Sequence, residues 1–399
     1  MKRLLILALC ALFALNADAR TLYVNAKRPN NSGNGLSAAK AKKTIQAAIN
    51  IAKKGDTILV YPGTYAPIST KNKKIAIKST KGAKRTSIVR AGSKASALAS
   101  LGKTWNYTYV GTGMSPGEIA GKTYKANSAP YAKGRSTALS GFVIDAGGTA
   151  RRLLLGVSGG TLKSCVVQGF GNAAAREWGS PVYNAKLTAC TLRNNRFIGS
   201  EMGVASDSRL SRCRIVGNFG GDGSDVSYAC SPVVTRSTLD NCLVADNEVY
   251  GWSAFEDCTA ANCTIVGNRL SFRLCSASAR YFSERSTFAN CILFDNRSRT
   301  TSDKWDDNLD ASVVIHSEWK THNGDSDKDA KNTYKNTDTT NKDPQFVNAA
   351  KGDYRLKRSS YCINSGKLTK AQKKLVGTTD LAGMKRIKGK SIDCGCYEY

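Results

Sequence analysis

One pattern recurs six times between residues 162 and 293. It consists of an apolar residue, Cys three positions later, and Val, Ile or Leu two positions after the Cys. The six cysteines are Cys165, Cys190, Cys213, Cys242, Cys263 and Cys291. Successive cysteines are 25, 23, 29, 21 and 28 residues apart, a period typical of stacked supersecondary units. The repeat predicts one elongated solenoid in place of the two or three globular domains that such a length usually implies.

Within each repeat, the Cys and the residue two positions later share one face, because strand side chains alternate with a period of two. We predict that this face points inward and that equivalent side chains stack about 4.8 Å apart along the axis. The second residues are Val167, Leu192, Ile215, Val244, Ile265 and Leu293. The chain has no CxxC pair and only two His, so a ladder of small apolar thiols is favoured over a metal or redox site.

Five of the six repeats place Asn five residues after the Cys. These asparagines are Asn195, Asn218, Asn247, Asn268 and Asn296. We predict that each Asn lies where the chain turns, since Asn tolerates left-handed backbone angles. Its side-chain amide would then bond to the coils above and below, and its loss would leave buried polar groups without partners.

The remaining cysteines are open to pairing if the protein is exported to an oxidising compartment. Cys362 with Cys394 or Cys396 would staple the C-terminus. Cys230 and Cys258 hold similar positions in neighbouring repeats. Both pairings are hypotheses that the spacing alone does not decide.

The N-terminus has the order of a signal peptide. Lys2 and Arg3 precede an apolar run over residues 4–15, and Ala17-Asp18-Ala19 follows, which predicts cleavage after Ala19. The apolar run has about a dozen residues, whereas roughly twenty are needed to span a bilayer. We therefore expect a protein that is secreted or at the cell surface, without a transmembrane segment.

A short amphipathic helix is predicted from Thr44 to Ala52, since Ile45, Ala48 and Ile49 fall on one helical face. Such a helix would cover the open apolar end of a solenoid. The sequence Ile-Gln-Ala-Ala-Ile at 45–49, followed by Gly-Asp-Thr-Ile at 55–58 and Pro-Gly-Thr-Tyr at 62–65, closely resembles the opening of pectate-lyase-like right-handed β-helix proteins.

The C-terminal sequence resembles the terminal module of bacterial surface proteins called choice-of-anchor Q. The resemblance lies in DPQFVNAAKGDYRLKRSSYCINSG, which begins at Asp343, and in Asp380, Gly383, Arg386 and the final IDCGCYEY. Together the two resemblances imply an all-β protein, a single right-handed parallel β-helix with a short N-terminal capping helix. They leave the function open, because proteins of this fold have many functions.

We predict six segments along the chain. They are a signal peptide (1–19), an N-terminal cap with the first coils (20–100), a loop insertion rich in aromatic and basic residues (101–135), central coils (136–302), a polar insertion (303–342) and a choice-of-anchor Q-like module (343–399).

The formal charge of +29 is concentrated in the N-terminal part. Residues 20–186 carry 27 Lys and Arg against 4 acids, whereas residues 187–303 carry 12 Arg, no Lys and 12 acids. Nucleic acid would be the expected partner of such a charge inside a cell. Because the chain resembles an exported protein, an acidic polysaccharide or the anionic cell envelope is the predicted partner, and nucleic acid is not.

The resemblance also implies candidate residues for catalysis, since lyases of this fold use Lys or Arg to remove the proton beside a uronate carboxylate, often with bound calcium. Arg193, Arg212 and Arg214 are predicted to face outward on adjacent coils. The candidate calcium ligands in the intervening turns are Glu201, Asp222 and Asp225. Surface ion pairing of the arginines and a solvated turn are the alternatives. No cofactor is assured.

The insertion at 101–135 is a candidate binding loop, because long excursions between regular elements often bind ligands. Aromatic faces stack on sugar rings, and lysines attract carboxylate or sulfate groups. The candidate substrate-binding residues are Trp105, Tyr107, Tyr109, Tyr124, Tyr131, Lys103, Lys122 and Lys125. The alternative is that these aromatic rings only pack the loop against the solenoid.

Two functions remain open at this point. The first is a secreted β-helix protein that engages acidic polysaccharide, with β-elimination by a polysaccharide lyase as its enzymatic form. The alternative is a non-catalytic surface or adhesion protein whose basic end docks to an anionic surface. A lyase requires an outward base near a group that neutralises carboxylate, whereas adhesion requires only a charged or aromatic face.

Overall fold

The protein was analysed as a computed structural model. The residues it describes are 19–90, 97–101, 118–119, 122–123, 137–147, 155–170, 180–197, 203–221, 232–250, 253–271, 283–284, 286–299, 305–306, 313–314, 319–320, 343–367 and 376–399. The predicted signal peptide up to Asp18 lies outside these residues.

The described strands form four parallel sheets, here named A to D. Sheet A contains, in spatial order, Thr21–Val24, Thr57–Val60, Ala76–Ser79, Ala138–Ser140, Thr161–Lys163, Lys186–Thr188, Arg209–Ser211, Thr238–Asp240, Thr259–Ala261, Thr287–Ala289 and Trp319–Lys320. Sheet B contains Gly63–Tyr65, Thr86–Val89, Val143–Asp145, Val166–Gln168, Thr191–Arg193, Arg214–Val216, Leu243–Ala245, Thr264–Val266, Cys291–Phe294 and Val313–Val314.

The other two sheets are shorter. Sheet C contains Ile68–Ser69, Ala97–Ser100, Leu155–Ser158, Ser180–Tyr183, Ala205–Ser206, Val234–Thr235, Phe255–Glu256 and Ser283–Glu284. Sheet D contains Arg196–Phe197, Phe219–Gly220, Glu248–Tyr250, Arg269–Ser271, Arg297–Arg299 and Trp305–Asp306. The last strand of sheets A, B and D pairs antiparallel, and all the other pairs in the four sheets are parallel.

A few elements lie outside the four sheets. They are the helix Ile45–Ile51, the 3₁₀ turns Ala83–Arg85 and Ala349–Lys351, the hairpin of Glu118–Ile119 with Lys122–Thr123, and the hairpin of Phe346–Asn348 with Asp353–Leu356.

The coils that begin at Ser180, Ala205, Val234 and Phe255 pass through the sheets in the order C, A, B and D, and three of their four corners have a fixed length. In the coil that starts at Ser180, two residues separate sheet C from A, two separate A from B, and two separate B from D. The first residue of each pair has a left-handed backbone, as at Asn184 (φ 51°), Ala189 (φ 52°) and Asn194 (φ 51°). The connection from sheet D to the next strand of sheet C therefore carries the variation in repeat length.

The capping helix forms as predicted over Ile45–Ile51. Thr44 begins it, since its side chain accepts a hydrogen bond from the backbone N–H of Ala47 at 3.2 Å. Gln46 fastens the helix to the first coils, because its amide donates to the carbonyl of Ser69 at 3.1 Å and accepts from the Ser69 N–H at 2.9 Å. Lys73 Nζ donates to the carbonyl of Ile49 at 2.7 Å, which satisfies a free group at the helix C-terminus.

The predicted inward ladder of thiols is confirmed. All six repeat cysteines are buried and free, and the residues two positions after them are buried as well. Backbone N–H groups donate along the ladder to sulfur, from Cys213 to Cys242 at 3.4 Å and from Cys263 to Cys291 at 3.4 Å. Burial raises the pKa of the Cys165 thiol well above its usual value, so this thiol stays protonated and acts as a packing group.

The asparagine ladder is also confirmed. Asn218 Nδ2 donates to Oδ1 of Asn247 at 2.8 Å and to the carbonyl of Leu192 in the preceding coil at 3.0 Å. The Asn218 N–H donates to the same Asn247 oxygen at 3.0 Å. Equivalent bonds between side-chain amides join Asn195 to Asn218, Asn247 to Asn268 and Asn268 to Asn296.

The backbone angle predicted for these asparagines is wrong. The left-handed residue is the one before the ladder Asn, namely Asn194 (φ 51°), Gly217 (φ 60°) and Asp246 (φ 54°). The turn is made by that residue, and the following Asn is thereby directed into the interior. The ladder position therefore selects Asn for its two-sided amide and not for its backbone freedom.

A third inner row of hydroxyl groups was not predicted. It lies at the corner between sheets C and A, where the N–H of Ala185 donates to Ser208 Oγ at 3.1 Å and the N–H of Ser208 donates to Ser237 Oγ at 2.9 Å. The N–H of Cys258 donates to Ser286 Oγ at 3.0 Å in the same way. Cys258 is a free, buried thiol of this row, and its suggested disulfide partner Cys230 lies outside the described residues.

The C-terminal segment packs against the outer face of sheet B. Leu243, Ala245, Val266 and Ile292 share a buried apolar cluster with Phe346, Tyr354, Leu356, Cys362, Cys394, Cys396 and Tyr397. Side chains at the corner between sheets A and B hold the segment too, since the Nδ2 of Asn241 donates to the carbonyl of Val376 at 2.6 Å and that of Asn290 to Lys367 at 2.9 Å. The suggested disulfide of Cys362 is wrong, because all three cysteines here are free and buried.

A buried arginine organises the end of the chain. Arg386 is 1% exposed, and its Nη2 donates to the carbonyls of Asp393 at 2.9 Å and Gly395 at 2.7 Å. The Glu398 carboxylate lies 3.5 Å from Arg386 Nη1. These contacts close the last residues into a compact loop against the coils.

Substitution of one ladder asparagine tests the interior. Asn218→Ala removes the acceptor of the Asn195 N–H and the donor to the Leu192 carbonyl. We expect the free energy of unfolding to fall by about 1–3 kcal/mol, since buried polar groups lose their partners. Urea denaturation followed by circular dichroism measures the change. Asn50→Ala, on the exposed face of the capping helix, is the control and should change stability by less than about 0.5 kcal/mol. Equal stability of the two variants would contradict the ladder's role.

Asp240 should make stability depend on pH. It is 2% exposed, and burial raises its pKa to about 6, although hydrogen bonding from Ser211 opposes the shift. A carboxyl whose pKa rises on folding contributes stability at low pH that is lost as the pH rises through the folded value. Wild type should therefore lose stability relative to Asp240→Asn between about pH 4 and pH 6. Unfolding in urea at both pH values measures this difference. Asp343→Asn, an exposed position, should run parallel to wild type.

Candidate functional site

Arg193 lies on the outer face of sheet B, as predicted. It is exposed, and its Nε donates to Gln168 Oε1 at 3.0 Å. Gln168 Nε2 donates in turn to Asp145 Oδ2 at 2.8 Å. The three residues are in register on successive coils, so they form a polar row along the axis in which Arg193 offers its terminal guanidinium nitrogens.

Arg212 and Arg214 are held by the C-terminal segment. Arg212, in the left-handed corner (φ 51°), donates from Nη1 to Thr379 Oγ1 at 2.7 Å. Arg214 donates from Nη2 to the Tyr397 hydroxyl at 2.7 Å, and its guanidinium carbon lies 5.8 Å from the centre of that ring. Arg193 is therefore the member of the predicted set with an exposed guanidinium, and the other two fasten the C-terminal segment.

The other predicted site residues cannot be compared with the structure. Trp105, Tyr107, Tyr109, Tyr124, Tyr131, Lys103 and Lys125 lie outside the described residues, as do Glu201, Asp222 and Asp225. Lys122 lies in a described strand without a described side chain. Within the described ranges, no three His, Cys, Asp or Glu side chains are grouped as a metal site.

The structure brings together a charged cluster at the corner between sheets C and A that the sequence did not reveal. Arg236 binds Asp207 of the preceding coil with two parallel hydrogen bonds, each of 3.0 Å. Burial alone would lower the pKa of Arg236, but Asp207, assisted by Glu256 and Tyr183, raises it overall. Arg236 is thus a permanent cation matched by carboxylates, a contact between coils and not a proton acceptor.

Sheet D carries an outer row of mixed aromatic and charged side chains. Arg196, Phe219, Glu248 and Arg269 are in register on four successive coils. The guanidinium carbon of Arg196 lies 4.1 Å from the centre of the Phe219 ring, and that ring lies 5.5 Å from the ring of Tyr250. We call Arg196, Phe219, Glu248, Tyr250 and Arg269 the sheet D face.

The sequence does not reveal the sheet D face, because its strands have two or three residues, too few to show alternation. A signal was nevertheless present. Each residue of the row follows a ladder asparagine directly, as in Asn195-Arg196, Asn218-Phe219 and Asn247-Glu248. The asparagine ladder therefore locates the row once its corner is recognised.

The N-terminal coils present a surface of uncompensated positive charge. Residues 20–90 contain sixteen Lys and Arg and a single acid, Asp56, which is 2% exposed. Asp56 accepts from the backbone N–H and from Nη2 of Arg20, both at 2.9 Å. Burial alone would raise the pKa of Asp56, but hydrogen bonds from Lys53 and Arg20 lower it overall.

Asp56 is therefore matched internally and neutralises none of the surface lysines. We call the following exposed residues the N-terminal basic surface: Lys40, Lys43, Lys53, Lys54, Lys71, Lys74, Lys78, Lys81 and Lys84.

Comparison with known proteins gives similarity in fold. The chain is similar to pectate lyase Pel9A (13% identity, 95% of this chain and 96% of that chain, TM-score 0.42). It is also similar to a rhamnogalacturonan lyase (12%, 92% and 99%, TM-score 0.33) and to pectin methylesterase PemA from Erwinia chrysanthemi (10%, 71% and 93%, TM-score 0.33). Likeness at this level supports no inference about activity.

No curated protein matches the chain. Among the described residues, no helix is long and apolar enough to cross a membrane. Residues 135–293 match the family model described as "Right handed beta helix region". This match and the parallel coils together show that the protein is folded as a right-handed parallel β-helix.

Proposed function

We propose that the protein is exported and binds an acidic polysaccharide through the N-terminal basic surface. One observation carries the proposal: the single acid of residues 20–90 is buried against Arg20. Exposed lysines without neighbouring acids create a positive potential that attracts polyanions over about 10 Å at 0.1 M salt. A flexible polymer with a repeating negative charge can contact many of these lysines at once.

Export is the second element of the proposal, and it rests on the N-terminal sequence. A charged start, a short apolar run and Ala17-Asp18-Ala19 are the parts of a cleaved signal peptide. Outside the cell, carboxylated or sulfated glycans are the polyanions available to such a surface. The resemblance of residues 343–399 to a choice-of-anchor Q module supports a location at the cell surface, and we include that module in the proposal.

Neutralisation of four lysines tests the binding. Lys74, Lys78, Lys81 and Lys84 are exposed, and their joint change to Gln should weaken binding to polygalacturonate about tenfold, at roughly 0.4 kcal/mol per exposed charge. Retention on immobilised polygalacturonate across a salt gradient measures the affinity.

The matched control neutralises four exposed lysines at the other end of the chain, Lys351, Lys357, Lys385 and Lys390. The net charge changes equally in both variants, so a general charge effect would shift both equally. That result would contradict the assignment to the N-terminal surface. We expect the control to be retained about as strongly as wild type and the first variant to elute at a lower salt concentration.

A lyase form of the function rests on Arg193, whose guanidinium is exposed beside Gln168 and Asp145. In β-elimination a base removes the proton at C5 of a uronate, and the bond from C4 to the glycosidic oxygen breaks. A C4–C5 double bond forms, and the released oxygen takes a proton from water. Arg193 would act as that base in its neutral guanidine form and become a guanidinium, and the hydroxide left when water protonates the released oxygen would take that proton back.

The unsaturated product absorbs ultraviolet light, so incubation with pectate or alginate, with and without calcium, tests the reaction. We expect Arg193→Ala to abolish the absorbance increase. Thr379→Val, which removes only the hydroxyl that accepts from Arg212, should leave it intact. Binding without any absorbance change would contradict the lyase form and favour the adhesion alternative, in which the basic end docks without cleavage.

A further inference from the structure

The sheet D face differs from the other outer faces of the central coils. At the same level, the outer row of sheet A consists of Lys186, Arg209 and Thr238 in register, two basic side chains and one short polar side chain. Sheet D places the half-exposed rings of Phe219 and Tyr250 on the outside instead. Exposed aromatic pairs rimmed by charge are uncommon on a soluble surface and mark binding sites.

The C-terminal segment covers a comparable ring but does not pair with these two. Phe294, on the outside of sheet B, contacts Phe346 with ring centres 6.3 Å apart. The ring contacts that the described residues show for Phe219 and Tyr250 are with each other, at 5.5 Å, and with Arg196. Among the described residues, the two rings of the sheet D face therefore show ring contacts only with other members of that face.

Arg196 gives the face a second, independent feature. Its Nε is buried and has no hydrogen-bond partner, although an unpaired buried donor is costly. Its guanidinium lies over the Phe219 ring, 4.1 Å from the ring centre, and this contact restricts the positions of its donors. A carboxylate is the group that matches a fixed guanidinium best, because it accepts two parallel hydrogen bonds.

The order of side chains along the axis matches a saccharide chain. Coils are about 4.8 Å apart, close to the length of one sugar residue. Four steps follow one another along the axis. They are the guanidinium of Arg196, the ring of Phe219, the carboxylate of Glu248 beside the phenol of Tyr250, and the guanidinium of Arg269. The Tyr250 hydroxyl lies 3.5 Å from Glu248 Oε1, so this step is suited to a sugar hydroxyl, while Arg196 is suited to a carboxylate.

We propose that the sheet D face binds a uronate-containing oligosaccharide lying along the helix axis, with one sugar ring stacked on Phe219 and Tyr250 and a carboxylate on Arg196. This inference rests on the proposed function for the class of ligand, but it concerns a different surface. Stacking acts at contact distance, so it survives 1 M salt, at which the Debye screening length is only about 3 Å. The N-terminal basic surface attracts at long range and is weakened by that salt.

The experiment measures binding of hexagalacturonate to the full mature chain by calorimetry at about 0.1 M and 1 M salt, with cellohexaose as a neutral probe. We expect hexagalacturonate binding to persist at the higher salt. Phe219→Leu keeps an apolar side chain but removes the flat ring, and it should weaken that binding at least about tenfold, in line with roughly 1.4 kcal/mol of lost stacking. Arg196→Met keeps the aliphatic contact and should abolish the preference for the charged over the neutral probe at the higher salt, where the N-terminal lysines are screened.

Tyr23→Leu, a half-buried outward ring on sheet A, is the matched control and should bind as wild type does. Circular dichroism and the thermal midpoint establish that each variant is folded. Equal affinity of wild type and Phe219→Leu at the higher salt would overturn the inference, as would the absence of binding there.

The two proposals fail in different ways. If hexagalacturonate binds at low salt alone and the four-lysine variant abolishes it, the sheet D inference is wrong and the proposed function stands. If binding persists at high salt and depends on Phe219, while binding at low salt is unchanged in the four-lysine variant, the sheet D face is the polysaccharide site and the assignment to the N-terminal surface is wrong.

Discussion

Hydrogen bonding between successive coils is the interaction on which the rest of this structure depends. Most described strands of the central coils pair in register with the coil before and the coil after, so the chain must turn at every corner while its buried backbone N–H and C=O groups stay paired. Each two-residue corner consists of one residue with a left-handed backbone, followed by one residue whose side chain points into the interior. Where that side chain is Asn, its amide donates to the next coil. Where it is Ser, its hydroxyl oxygen accepts from an N–H of the preceding coil, and where it is Cys, it packs and accepts a weak bond from such an N–H.

The same constraint explains what the sequence could and could not predict. Inward positions repeat because each coil imposes them again, so the thiol ladder, the amide ladder and the capping helix follow from spacing. The left-handed position was misplaced by one residue, because Asn is common both at left-handed turns and at amide ladders. The partners of Arg212 and Arg214 are 167 and 183 positions away in the chain, and no local pattern indicates such contacts.

Charge and contact chemistry are separated along the axis. The N-terminal coils have exposed lysines and one internally matched acid. The central coils balance arginine against acid, as Arg236 does with Asp207, and they display aromatic rings on sheet D. Under the two proposals, long-range attraction and short-range recognition therefore belong to different coils of one β-helix. A polymer long enough to lie along the axis would meet both, whereas a short oligosaccharide would meet one.

The corner rule has a consequence for how such a chain can change. Three corners of the coils that begin at Ser180, Ala205, Val234 and Phe255 have two residues each, and an insertion there would shift the following strands out of register. The connection from sheet D to sheet C is free of this restriction and already varies among the coils. New segments can therefore accumulate along a single edge of the molecule. Each connection along that edge can be lengthened independently of the others, while backbone hydrogen bonding keeps the distance between successive coils fixed.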